Sequence, residues 1–243
     1  MGERPRLEVC VDSPAGLMAA VEGGADRIEL CAALALSGLT PSPGLMALAG
    51  VQATPIYAMI RPRAGDFVYS QLEIDVMRRD IDAARAAGVA GVVIGANRPS
   101  GALDAAALMG LIDHAAGLGV TLHRAFDLVP DFDSALELAI ELGFVRILTS
   151  GGEATAIAGA ATIRDLVAQA AGRISIMAGS GVTAANVAEL VRRTGVAEVH
   201  GSCGSALPAA SGRAVSLGFI PAGLRDTSGA KVAAMVQAVA SLA

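Results

Sequence analysis

Leu7-Glu8-Val9-Cys10-Val11-Asp12-Ser13-Pro14 opens the structured part of the chain, and its reading decides the fold. The first six residues alternate apolar with polar or small side chains, the two-residue period of a strand. Asp12-Ser13-Pro14 then forms a helix cap with Pro at the first helical position. Working outward, a helix is expected over 14–23 and a second strand over 27–31, so the chain begins as a strand–helix–strand unit. The alternation continues eight times. Further strands are expected over 55–61, 91–96, 120–126, 146–150, 174–179 and 198–202. Further helices are expected over 43–50, 72–87, 104–117, 132–142, 155–171, 184–194 and 231–242. Eight such units predict an α/β chain folded as a single (β/α)8 TIM barrel over residues 1–243. The length of 243 residues is close to the ~250 typical of one such barrel, so no second domain is needed. An open doubly wound sheet is the rival, but it normally carries a glycine-rich nucleotide loop where this chain has Asp12-Ser13-Pro14.

Composition narrows the function classes. Apolar residues make up 53% of the chain and charged residues 17%, enough core material for a barrel, and the surplus is Ala and Val rather than aromatic. A net charge of −5 without a Lys/Arg cluster offers no footprint for nucleic acid or an anionic membrane. The uncharged run from Leu30 to Ile60 is interrupted by Ser37-Gly38-Leu39-Thr40-Pro41-Ser42-Pro43-Gly44, well short of a membrane span. Polar residues lead into the first strand with no signal core, and the three cysteines suit reduced thiols, so a cytoplasmic protein is expected. A small molecule or an ion is the expected partner, and a homo-oligomer is compatible with this composition.

Strand parity separates the faces. With Leu7, Val9 and Val11 toward the helices, Glu8, Cys10 and Asp12 point into the barrel. Ile28 and Leu30 likewise leave Glu29 and Cys31 inside. Tyr57, Met59 and Arg61 share one face of the third strand, Thr121, His123 and Ala125 one face of the fifth, and Glu198, His200 and Ser202 one face of the eighth. A barrel filled for stability alone would use Val, Ile and Leu at such positions.

Six motifs carry a resemblance: Leu7-Glu8-Val9-Cys10-Val11-Asp12, Gly24-Ala25-Asp26-Arg27-Ile28-Glu29-Leu30-Cys31, Met59-Ile60-Arg61-Pro62-Arg63, His123-Arg124-Ala125-Phe126-Asp127, Leu148-Thr149-Ser150-Gly151-Gly152 and Glu198-Val199-His200. Together they resemble the CutC copper-homeostasis family from the first strand to the eighth. The resemblance implies a (β/α)8 barrel, a cytoplasmic location and a role in copper tolerance resting on Cu(I) binding. Three positions depart from the family pattern: Ser37-Gly38 replaces a glycine pair, Leu122 precedes His123 where Phe is usual, and Cys203 replaces a small residue. The last makes Cys203 a poor candidate for a family-wide metal ligand.

Cys10 and Cys31 are the candidate Cu(I) ligands, since Cu(I) is soft and two inward thiols on neighbouring strands can meet one ion. Free Cys also serves as a small buried hydrophobe, so this alternative stays open. Glu8, Glu29, Arg61, His123 and His200 form a candidate catalytic cup for proton transfer, each equally readable as part of a structural ion pair. Thr149, Ser150 and Gly151, with Gly179, Ser180, Gly181 and Ser202, are candidate anion-binding residues in the last three strand-end loops, where barrels often bind phosphate. Their glycines also suit tight turns. The loop Arg61-Pro62-Arg63-Ala64-Gly65-Asp66-Phe67 either clamps an anion or is fastened by Arg–Asp pairs. His114 belongs to a helix and faces solvent. The only lysine is Lys231, near the closing helix, which excludes a strand-end Schiff base. No metalloprotease, P-loop, dinucleotide or nucleophile-elbow motif is present, and no organic cofactor is expected. Two functions remain in view: a copper-homeostasis protein binding Cu(I), and a barrel enzyme of isomerase or lyase type acting on a small anionic or phosphorylated metabolite. A scaffold on a degenerate barrel is the third, opposed by the polar cup.

Overall fold

The structure is a computed structural model that describes residues 4–207, 212–219 and 224–242. Eight parallel strands close in chain order: β1 (Arg6–Val11), β2 (Arg27–Leu30), β3 (Ile56–Met59), β4 (Gly91–Ile94), β5 (Gly119–Leu122), β6 (Arg146–Thr149), β7 (Ser175–Ala178) and β8 (Glu198–Gly201). Seven helices cross back between them: α1 (Pro14–Glu22), α2 (Pro43–Gly50), α3 (Gln71–Ala86), α4 (Ala105–His114), α5 (Phe132–Glu141), α6 (Ala160–Ala170) and α7 (Val187–Thr194). After β8 come the short β9 (Gly204–Ala206), α8 (Gly212–Ser216) and β10 (Arg225–Thr227), then the closing α9 (Gly229–Ala240). This is the (β/α)8 barrel expected from the alternation.

Local chemistry starts the helices where the sequence placed caps. The Ser13 hydroxyl accepts from the Gly16 N–H at 2.8 Å with Pro14 at the first turn, and Ser70 and Glu73 form a reciprocal capping box on α3. Between sheet and helices lies the apolar core, where Leu7, Val9, Val11, Ile28 and Leu30 are fully buried.

Inside the barrel the core is charged. Arg27 donates to both Glu8 and Glu198, Arg146 donates to Glu198 at 2.6 Å and to Thr121 at 3.0 Å, and Ser175 donates to Glu198 at 2.7 Å. Both guanidinium groups lie over the Tyr57 ring, at 5.5 and 5.4 Å. Gly91 and Gly119 make room for that ring, since an added Cβ would sit 2.3 and 2.2 Å from Tyr57 atoms. Arg27 and Arg146 share the inward parity of Glu29 and Leu148, and both reach Glu198.

Beyond shifts of up to three residues at element ends, three features differ from expectation. β5 ends at Leu122 rather than 126, because the His123 side chain accepts from Ala125 N–H and starts a 3-10 turn over Arg124–Leu128. Residues 155–159 are not helical, and Ala156 N–H bonds instead to the Ser180 carbonyl of the neighbouring loop. The β9–β10 pair was not anticipated. It is three residues a side and is tied to the start of α1 by the Ser13 hydroxyl on Asp226 at 2.9 Å.

Candidate functional site

Strand register decides which inward side chains meet. A (β/α)8 barrel accumulates a shear of eight residues on closing, so matching positions on neighbouring strands need not be level. Between β1 and β2 the offset is two residues: Glu8 pairs with Arg27 and Cys10 with Glu29. The repeated patterns Leu7-Glu8-Val9-Cys10 and Ile28-Glu29-Leu30-Cys31 are therefore displaced by one inward layer. Between β1 and β8, Glu8 is level with His200.

The result is a three-residue cluster of Cys10, Glu29 and His200, all buried, with one ligand atom from each within 4.8 Å of the others. His200 Nδ1 bonds to Glu8 Oε1 at 2.8 Å, and its Nε2 lies 3.9 Å from Glu29 Oε2. Burial favours neutral Glu8, but Arg27 and the His200 hydrogen bond outweigh it and hold the carboxyl at about 2. Burial raises Glu29 above the usual carboxylate range. For His200, burial is outweighed by Cys10, Glu29 and Glu8, and the imidazole is raised well above its ordinary value. Cys31 is absent from the three-residue cluster. Its thiol is fully buried beside Met59 and Val93, donates to Glu29 Oε2 at 3.5 Å, and is pushed well up by burial and then by Glu29. The register thus sets Cys31 one inward position beyond Glu29, the residue level with Cys10.

A cavity of about 930 Å³ opens at the carboxyl ends of the strands. Cys10, Glu29, Arg61, His123 and His200 all line it, while Glu8 lies behind His200 in the charged layer and is 0% exposed. Arg61, 5% exposed, gives N–H bonds to the carbonyls of Leu36, Gly38 and Gly65 at 2.8 to 2.9 Å. It also sits beside the Tyr69 hydroxyl, which burial pushes up to about 12. Arg63 has a different role: it fastens the loop through Glu73 at 2.5 Å, Asp66 at 3.0 Å and the Val68 carbonyl at 2.7 Å. Burial and then Arg61 push His123 down to about 3, so its ring is neutral. Glu29 Oε1, Arg61 Nε and His123 Nε2 are buried without a hydrogen-bond partner among the described residues.

The glycine-rich loops are occupied in a way the sequence did not reveal. Asp127 accepts from the Thr149 hydroxyl at 2.5 Å, from Ser150 N–H at 3.0 Å, from the Ser150 hydroxyl at 3.0 Å and from Gly152 N–H at 3.1 Å. Gly151 N–H is taken by the Thr149 hydroxyl at 2.9 Å. This loop is an anion nest whose anion is the protein's own carboxylate. Thr149, Ser150 and Gly151 do not line the cavity. Gly179 does not either; its N–H bonds to the Thr149 carbonyl and its missing side chain leaves space for Leu148 and His200. Ser180, Gly181 and Ser202 do line the cavity, although the Ser180 hydroxyl already donates to the Ala154 carbonyl at 2.7 Å.

Other expectations fall into place around this centre. His114 lies in α4 and bonds to Asp82 at 2.8 Å on the surface. Lys231 sits at the cavity rim, donating to the Gly204 carbonyl at 2.8 Å. Cys203 is half-buried, pushed up to about 11 by burial. All three cysteines are free thiols. No described helix is long and apolar enough to cross a membrane. Of the residues lining the cavity, Asp127 and Phe67 were the least visible in the sequence. Asp127 falls in a quoted motif, but its partners come from a loop 22 to 25 residues away.

Comparison with known proteins agrees with this architecture. The CutC family profile matches residues 5–205. A CutC family protein of Sinorhizobium medicae is 60% identical over 237 residues, covering 98% of this chain and 97% of the relative. One from Caulobacter vibrioides is 58% identical over 241 residues, covering 98% of each. A solved CutC structure from Streptococcus agalactiae, named for copper homeostasis, superposes with a TM-score of 0.78 at 34% identity, covering 82% of this chain and 98% of that one.

Proposed function

The chain belongs to the CutC copper-homeostasis family, and from that premise we propose that it binds one Cu(I) ion at the carboxyl end of the barrel, in a reducing cytoplasm. The ligands in this reading are the Cys10 thiolate and His200 Nε2, with the Glu29 carboxylate beside them and Cys31 adjoining through Glu29. The observation that supports it is the closeness of one sulfur, one imidazole nitrogen and one carboxylate oxygen, all within 4.8 Å of one another. Thiolate and imidazole suit a soft or borderline ion, and Glu8 on Nδ1 turns Nε2 toward the cluster, the usual outer-shell arrangement of a ligand histidine. The same donors also suit Zn(II), so the competing ion belongs in the test.

Anaerobic Cu(I) competition against a chromogenic chelator checks the reading. Cys10→Ser and His200→Gln are expected to weaken binding by two orders of magnitude or more. Glu8→Gln, acting through His200, should cost on the order of 10- to 100-fold. Cys31→Ser is expected to stay near the parent value; a loss matching Cys10→Ser would bring Cys31 into the ligand set. Unchanged affinity in Cys10→Ser, or a preference for Zn(II) under the same conditions, would remove the reading.

A second reading is an enzyme acting on a small anionic metabolite. It is favoured by the cavity itself, which at about 930 Å³ is far larger than one ion requires and is lined by unpartnered polar atoms.

A further inference from the structure

On the cavity wall away from Cys10, two buried groups lack what would balance them. His123, 3% exposed, uses Nδ1 to accept from Ala125 N–H at 3.0 Å, which leaves the proton of the neutral ring on Nε2. That Nε2 has no partner among the described residues, so it is a donor without an acceptor. Arg61 is a buried cation whose bonds go to neutral carbonyls. The other buried arginines, Arg27 and Arg146, are matched by Glu8 and Glu198, whereas no carboxylate forms an ion pair with Arg61 among the described residues. Phe67 joins the two: its ring centroid is 4.6 Å from that of His123 and 5.1 Å from the Arg61 guanidinium carbon. An uncompensated buried charge and an unmade buried hydrogen bond are each unfavourable, and one anion in the cavity would relieve both.

We propose that the cavity binds a small organic carboxylate, one oxygen accepting from His123 Nε2 and its charge facing Arg61, with the body of the ligand against Phe67, Met59 and Leu148. This rests on the second reading above and names its ligand class and holding residues. A carboxylate fits better than a phosphate. One cation and one neutral donor match a monoanion at the His123 wall, and the other cations on the lining are engaged elsewhere, Arg124 with Asp127 and both Arg225 and Lys231 with the Gly204 carbonyl. The hydroxyl- and amide-rich loop that would cradle phosphate is already filled by Asp127. Burial and then Arg61 push His123 down to about 3, so the ring stays a neutral donor beside the cation.

The test is a titration of the full chain, metal-free and ¹⁵N-labelled, with sodium benzoate and butyrate, and separately with inorganic phosphate. The three histidines make the ring signals assignable. Carboxylate should shift the His123 Nε2–H signal saturably, and Arg61→Met should weaken that response at least tenfold. Because Arg61 also pins three loop carbonyls, a second variant is needed: His123→Phe leaves those bonds in place and should abolish the rise in melting temperature caused by benzoate. Saturation by phosphate in preference to carboxylate would keep an anion-binding cavity but overturn the ligand class. A carboxylate response at the His200 ring with His123 silent would overturn the assigned residues. No saturable response to any of the three anions would overturn both this proposal and the second reading. Cys10 takes no part in the measurement, so its outcome is separate from that of the copper competition.

Discussion

At His123, burial and the Arg61 guanidinium push the imidazole from its ordinary 6.5 down to about 3. An unfolded chain takes up this proton near 6.5 and the folded protein only near 3. The stability the neutral ring contributes is therefore complete above about 6.5 and is lost as the pH falls through that window. His123→Gln keeps a donor and removes the titration, so urea midpoints at pH 7 and pH 4.5 should fall less in the variant. The difference should be about 2–3 kcal/mol, two pH units of one proton. Parallel acid losses in both proteins would show that His123 does not control that window. Asp127 permits a second residue-level expectation. Asp127→Ala frees the Ser150 and Gly152 N–H groups and the Thr149 hydroxyl, so inorganic phosphate should raise the melting temperature of this variant more than that of the parent. An equal effect on both would mean the nest collapses when its carboxylate is removed.

At the scale of elements, glycine positions record where inward side chains need space. Gly119 on β5 faces Tyr57 from β3, and a Cβ there would come within 2.2 Å of the tyrosine hydroxyl. Gly119→Ala is expected to destabilise the barrel by about 1–3 kcal/mol through overpacking. Removing the hydroxyl in Gly119→Ala/Tyr57→Phe should recover part of that loss, checked by denaturant midpoints; a double variant no more stable than the single one would place the strain elsewhere. The two-residue offset between β1 and β2 belongs to this scale too. It pairs Cys10 with Glu29, so a motif repeated in sequence is not a pair in space. Parity within each strand correctly sorted inward from outward residues here, but relative height depends on the closure of the whole barrel.

For the whole molecule, the charged layer of Glu8, Arg27, Arg146 and Glu198 binds β1, β2, β6 and β8 across the barrel interior. Removing one member leaves buried charges unmatched, so Arg27→Met is expected to cost about 3–5 kcal/mol. Breaking the exposed pair of Arg193 with Glu189 should cost under about 1 kcal/mol, and a similar loss for both in chemical denaturation would deny the layer a special role. Alternation, caps and strand parity are local properties, and from them the sequence by itself determined the barrel, the inward set Glu8, Cys10, Glu29, His123 and His200, and the end of the barrel where all of these but Glu8 line the cavity. Tertiary structure decided the partners. It brought Cys10 together with His200 and Glu29, assigned Asp127 to the glycine-rich loop, and left Arg61 without a carboxylate partner among the described residues. Those outcomes depend on shear, which is shared among eight strands, and on contacts between loops 20 or more residues apart, so no local pattern in the chain could carry them.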